Sequence, residues 1–329
     1  MAKIIKWGII GLGKIAEKFA SDLPFTENGV LHAVASRSSD KARDFAKRYG
    51  APNAYGDYES ILNCKDLDVI YIATPHNLHY ENTMMCLKAG KAILCEKPFA
   101  INSEQSMKMV ALARKNKVFL MEALWTRFLP HFIEIKNIVD SGVLGPINSL
   151  KADFGFEANP KDHSRLFKKD LGGGALLDIG IYPVFASLLL LGSPQDMTVN
   201  AEYGDTGVDT RLDILFDYGI TCNAVLTCSL LEDTPCDLII EGENGVLEVG
   251  HRFHGPNNYE LRIKDKKRKT SNFKYNCNGY KYEADEVARC IGLGRIESDV
   301  MPLDFSVKLM QLLDQIRQKA GIFYLRYDV

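Results

Sequence analysis

Three stretches of the 329-residue chain carry side chains whose types and spacing could do chemistry. LLDIGIYPV (176–184) places Asp178 and Tyr182 four apart in an otherwise apolar run, with Gly180 between them and Pro183 directly after. A carboxylate and a phenol buried together cost free energy unless something pairs or uses them. In a helix they share one face, one turn apart, and such a pair can handle the protons of a hydroxyl or a carbonyl. CEKPFA (95–100) sets Lys97 between Glu96 and a proline at the end of an apolar strand. There a lysine points beyond the strand end, although the spacing alone also allows a structural Glu96–Lys97 ion pair. GLGKIA (11–16) has the G-x-G-x-x-A spacing directly after a strand and at the opening of a helix. Gly11 permits the tight turn, Gly13 lets backbone approach a pyrophosphate, and Ala16 allows close helix–strand packing. Lys14 and Ile15 open the helix, whose free N–H groups and positive dipole end suit phosphate.

The end of the second strand decides which dinucleotide is bound. An Asp or Glu there would take a ribose 2′-hydroxyl. This chain has SRSSDK instead, with Ser36, Arg37 and Ser38 and no acid until Asp40. A guanidinium flanked by hydroxyls suits a dianionic 2′-phosphate, so NADP(H) is expected. Thr74, Pro75 and Asn77 follow the third strand and are expected to line the cofactor cleft, with His79 at a helix start as a capping or wall residue. Glu96 and Lys97 lie at the same carboxyl edge, where open α/β sheets bind ligands. The Gly172–Gly174 run would let backbone pass close to a bound ring.

These residues need elements to position them. Residues 4–10, 30–36, 68–75, 92–98 and 118–123 read as buried strands. Helices are expected at 14–23, 39–50, 79–90 and 103–117, with a short one around YESIL. The second helix is expected to be capped by Ser39 or Asp40 and stopped by Gly50. Such alternation forces right-handed crossovers and a parallel sheet with helices on both faces. After about residue 124 the texture changes. A helix around 130–141 and the stretch holding Asp178 and Tyr182 precede alternating runs that turn at Asp217-Tyr218-Gly219 and Glu-Asn-Gly. A last amphipathic helix covers 306–321. The expectation is two domains, 1–123 and 124–329, the second α+β with a large, open, mainly antiparallel sheet.

Composition narrows the function classes. Net charge is −2 and charged residues make up 25% of the chain, so nucleic acid is not an expected partner. KDKKRK (264–269) is expected at a solvated hairpin tip. The eight cysteines form no CxxC and several sit in apolar runs, which suggests free thiols in a reducing compartment. No HExxH or paired Cys/His spacing suggests a metal; His76 and His79 follow a turn. The start has no signal-peptide pattern and the apolar run near 184–191 is short of a membrane span, so a cytoplasmic chain is expected.

GLGKIA, the Thr-Pro-x-x-x-His at 74–79, CEKPFA and the D-x-G-x-Y-P at 178–183 occur in an order that resembles the Gfo/Idh/MocA oxidoreductase family. Within it, MEALWTRF (121–128) and LGGGALLDIGIYP (171–183) look most like the dihydrodiol and NADP-dependent D-xylose dehydrogenase branches. The resemblance spans essentially the whole chain. It implies a Rossmann domain followed by an α+β domain whose open sheet often dimerises. It also implies that Lys97, Asp178 and Tyr182 face the nicotinamide, with tyrosine where many relatives have histidine. Trp125, Arg127 and Phe154 match positions near the substrate, Arg165 is a candidate to reach substrate or a neighbouring subunit, and an aromatic wall would extend to RFHG (252–255). The implied activity is hydride transfer between nicotinamide and a secondary alcohol or carbonyl of a cyclic diol, polyol or sugar, in a homodimer.

Elementary electrostatics agrees. A phenol with a pKa of about 10 is a poor base at neutral pH. An ammonium about 4 Å away at an effective dielectric near 20 would stabilise phenolate by about 4 kcal/mol, before desolvation opposes it. Tyr182 and Lys97 would titrate together, and either could be the immediate proton carrier. A non-catalytic NADP(H)-binding redox sensor is the competing reading, since a sensor needs only the cofactor residues. A methyltransferase with a similar glycine turn fits less well, because Ser36-Arg37 replaces the acid it would need.

Overall fold

The computed structural model describes residues 3–159 and 164–328. The chain divides into a first unit, Met1–Phe128 with Asn276–Met310, and a second, Leu129–Tyr275 with Gln311–Val329.

In the first unit, β1 (Ile5–Ile10), α1 (Lys14–Asp22), β2 (Gly29–Ala35), α2 (Ser39–Tyr49), β3 (Asn53–Tyr55), β4 (Val69–Ile72), α3 (His79–Lys88), β5 (Ala92–Glu96), α4 (Ser103–Asn116) and β6 (Leu120–Ala123) follow one another. The six strands form one parallel sheet in the order β3-β2-β1-β4-β5-β6. Its central strands are near-continuous apolar runs, as a sheet covered on both faces requires. The strand order reverses on either side of β1, and the crevice beyond the carboxyl ends at that point is where such sheets take ligands. Edge strand β3 was not expected; at three residues, none of them buried, it is too short to show periodicity. A 3-10 turn at Ser60–Asn63 stands where a short helix was expected.

Residues 276–310 belong to this unit, whereas the change of texture near 124 had assigned them to the other. Buried Asp22, at the end of α1, accepts hydrogen bonds from the amides of Asn278 (3.0 Å), Gly279 (2.8 Å) and Tyr280 (2.8 Å). That carboxylate ties down the loop that leads into α7 (Lys281–Gly292) by pairing its amides. The Tyr280 ring stacks on Trp125, with centroids 4.5 Å apart and planes 5° from parallel. The Leu120 amide donates to Ile296 O at 3.0 Å.

The second unit contains α5 (Pro130–Asp140), β7 (Ile147–Gly155), α6 (Ile181–Leu191), β8 (Asp196–Tyr203), β9 (Asp209–Asp217), β10 (Asn223–Ser229), β11 (Leu238–Gly242), β12 (Gly245–Val249), β13 (Tyr259–Ile263) and β14 (Lys269–Thr270). They form an eight-stranded sheet, β14-β13-β12-β11-β7-β10-β9-β8, antiparallel except between β7 and β10. Leu212, Ile214 and Phe216 of β9 are buried on one face, as their alternation with charges predicts. The last helix, α8 (Leu303–Ala320), begins in the first unit and ends in the second. The run Lys169–Leu191 is long and apolar enough by composition to cross a membrane, but 83% of its most apolar window is buried, which makes it a core helix of this unit.

Candidate active site

In the first unit the nucleotide-type residues gather at the carboxyl ends of β1, β2, β4 and β5. Gly11 has φ +89°, and a Cβ there would lie 2.7 Å from Thr74 N and 2.8 Å from Ala73 O. Gly11 is therefore required both by its left-handed backbone and by the close passage of the β4 end. Gly13 caps α1 with no side-chain partner, and no atom lies within 4 Å of where its Cβ would stand. Exposed Gly13 and Lys14, with half-buried Ile15, leave the helix amides open on that side. Asn77 is buried, and its Oδ1 has no hydrogen-bond partner among the described residues. An open glycine corner, unpaired amides and an orphaned carbonyl fit the pyrophosphate and ribose of a dinucleotide.

At the end of β2, Ser36 is buried and Arg37 exposed. Arg37 makes no ion pair or side-chain hydrogen bond among the described residues, so its five donors remain available. Ser38, one residue before the expected cap, starts α2: its hydroxyl accepts from Lys41 N at 3.3 Å. Gly50 closes the helix at φ +75°, as expected.

Thr74, Pro75 and His79 lie together beyond β4. The His79 ring is fully buried, with Nδ1 2.8 Å from Pro98 O and Nε2 2.9 Å from Thr74 O. It is a tether between two loops rather than an open wall or a cap. Glu96 turns inward, accepting from the Tyr71 hydroxyl and, at 3.2 Å, from Lys97 N. Lys97 follows, half-buried, with a cis peptide bond to Pro98. Trp125 and Arg127 also belong to this unit. Trp125 is packed on Tyr280, and Arg127 Nε donates to Val300 O at 2.9 Å.

In the second unit, Asp178 and Tyr182 come from one helical segment, but not from a regular α-helix. Leu176–Gly180 forms a π-helical turn that leads into α6. Pro183 lacks the N–H that a regular helix would donate to residue 179, and the wider turn accommodates this loss. Asp178 and Tyr182 are both almost buried, and Asp178 Oδ1 accepts from Arg165 Nη2 at 2.6 Å. Arg165 thus holds Asp178. The Gly172–Gly174 run serves other parts of the chain. A Cβ on Gly173 would come within 2.8 Å of three backbone carbonyl oxygens, and one on Gly174 would collide with Asp209, so these glycines are required by packing against the protein itself.

His254 is the site residue that sequence reasoning did not single out. It is buried, stacks on Phe154 (centroids 4.0 Å, planes 15°) and lies 4.9 Å from the Tyr182 ring. Phe154 is 5.7 Å from Tyr182. RFHG carried the only hint, a polar aromatic next to an apolar one. The arrangement is a phenol and a carboxylate set in a wall of flat rings, able to orient a hydroxylated ring and exchange protons with it.

The family model described as "Oxidoreductase family, NAD-binding Rossmann fold" (GFO_IDH_MocA) matches residues 5–124, and the GFO/IDH/MocA C-terminal domain model matches 132–248. The trans-1,2-dihydrobenzene-1,2-diol dehydrogenase of Xenopus tropicalis is 36% identical over 330 residues, covering 97% of this chain and 99% of that protein. The human protein of the same name is 34% identical, covering 97% and 98%. Among solved structures, a 3-ketoreductase from Actinomadura kijaniata in complex with NADP and TDP-benzene superposes with a TM-score of 0.87 at 26% identity, covering 96% of this chain and 98% of that one.

Proposed function

Because the chain belongs to the Gfo/Idh/MocA oxidoreductase family, we propose that it is an NADP(H)-dependent dehydrogenase or reductase acting on a CH–OH group of a cyclic diol, polyol or sugar. The observation that carries this reading is the second unit's wall: Tyr182 beside the Phe154–His254 stack, with Asp178 held by Arg165 on the same helical segment. Flat rings receive the C–H face of a substrate ring, while the carboxylate and phenol meet its hydroxyls. The bound nicotinamide would supply the acceptor or donor of the hydride. Tyr182 Oη takes the hydroxyl proton in oxidation and returns one to the oxygen in reduction. Asp178 accepts a hydrogen bond from a neighbouring hydroxyl, and Lys97, carried by the first unit, is the proposed catalytic cation that Lys97→Met tests.

Arg37 supports preference for NADP(H), because its guanidinium is exposed with no protein partner described and no acid stands nearby at the strand end. The open face of the second sheet supports a homodimer: Leu215 and Val225, paired across β9 and β10, are both exposed. The cysteines form no disulfide among the described residues, which supports a cytoplasmic setting.

The test is a substrate panel followed at 340 nm with NADP+ and NAD+ in parallel. It contains D-xylose, D-glucose, myo-inositol and a trans-dihydrodiol, with dicarbonyls and NADPH for the reverse direction. Turnover of any one compound, abolished in Lys97→Met and Tyr182→Phe while NADPH still binds, is the expected outcome. Tight NADPH binding with no turnover across the panel would favour the redox-sensor reading.

A further inference from the structure

Asp209 opens β9, far in sequence from the helical segment that carries Asp178 and Tyr182, yet its carboxylate reaches the start of that segment. Oδ2 accepts from Leu176 N at 2.7 Å, and the Ala175 amide faces the same group. These are the first free amides of the π-turn, which has no side-chain cap of its own. The approach depends on Gly174, which has φ +125° and where a Cβ would collide with Asp209 Oδ1. The carbonyl side of the same loop is held as well: Tyr324 donates from its hydroxyl to Gly173 O at 2.9 Å. Arg317 lies over the Tyr324 ring and pairs with Asp328 at 2.9 Å.

We propose that Asp209 is a positioning residue for the reaction: a carboxylate from β9 that caps the Gly174–Leu176 corner and so fixes where Asp178 and Tyr182 stand. The proposal rests on the reading of Tyr182 given above. A side chain from a distant strand is needed because position 174 must be glycine and cannot carry a local cap. The carboxylate is 1% exposed, and burial pushes it up to about 7, with the amides and Arg317 opposing. The titratable groups that face it are Arg317 of α8, Tyr324 of the C-terminal segment, Cys228 of β10 and Tyr203 of β8. Protonation near neutral pH would weaken the acceptor, because charge-assisted bonds are the stronger ones. The cap is therefore expected to loosen as pH falls.

The test uses the full chain with the best compound of the panel, comparing wild type, Asp209→Ala, Asp209→Asn and Tyr182→Phe. In Asp209→Ala, kcat is expected to fall on the order of tenfold to a hundredfold, the cost of a small misplacement, while the KM for NADP+ stays within about twofold. Hydrogen exchange by mass spectrometry should rise in the peptide covering 172–182. Asp209→Asn keeps an acceptor oxygen in place. As an uncharged acceptor it should recover part of the exchange protection and of kcat, matching wild type on the acid side of pH 7, and should lack the change near pH 7 that wild type shows. Wild-type kcat in Asp209→Ala, or unchanged exchange over 172–182, overturns the proposal. If Tyr182→Phe retains turnover, the reading of Tyr182 fails separately, and the exchange data still decide whether Asp209 caps the corner.

Discussion

At the scale of single residues, chemistry is assigned by what each side chain lacks as much as by what it touches. Arg37 is exposed and unpaired among the described residues, whereas Glu96 is turned inward onto Tyr71. A guanidinium meeting a 2′-phosphate makes charge-assisted bonds worth about 1.5–3 kcal/mol. Arg37→Ala should therefore raise the KM for NADP+ by about 10- to 100-fold and leave that for NAD+ nearly unchanged, measured by initial rates with both cofactors. Equal effects on the two would remove the case for the 2′-phosphate. His254 shows the limit of motif reading. Its position in the sequence carries no spacing rule, and only the stack on Phe154 places it beside Tyr182.

At the scale of elements, the ends of strands matter more than their interiors. Glu122 is buried near the end of β6, opposite Cys95 of β5. Neither of its oxygens completes a hydrogen bond among the described residues, although Ser306 and the Phe99 backbone face it. Burial pushes its carboxyl up to about 7, with Glu96 adding to the effect and Lys97 opposing it. The folded state therefore keeps a proton that the unfolded state loses near its ordinary value. Stability from this group is complete below about pH 4.5 and is lost as pH rises to about 7, to an extent of about 3 kcal/mol. Glu122→Gln should flatten that slope and unfold at a higher temperature than wild type at pH 8, with little difference at pH 5. Parallel melting curves at four pH values would show it, and identical slopes would contradict it. The π-turn ahead of α6 is likewise an element-scale feature: Pro183 has no N–H to donate back to the Ile179 carbonyl, which accepts from Ile181 N instead.

At the scale of the molecule, the paired exposed Leu215 and Val225 lie on a sheet face that no element of their own strand hairpin covers. The proposed homodimer would use this face. Light scattering after size exclusion should give the mass of two chains for wild type and of one for Leu215→Lys. A wild-type monomer would reject the dimer. The C-terminal segment also acts at this scale: Tyr324, with Arg317 over its ring, reaches back 151 residues in sequence to the glycine corner.

Local patterns determined the parallel strands, most of the helices and the dinucleotide turn, and singled out Lys97, Asp178 and Tyr182 as candidates, because periodicity, glycine spacing and caps act over a few residues. The tertiary structure decided what depends on distant partners. It placed residues 276–310 with the nucleotide unit through Asp22 and Trp125, buried His79 between two carbonyls, and set Arg165 on Asp178. It also showed that Gly173 and Gly174 make room for the protein's own carbonyls and for Asp209 rather than for a ligand. No local pattern reveals such pairings, because a buried polar group is satisfied by whichever partner the fold brings to it.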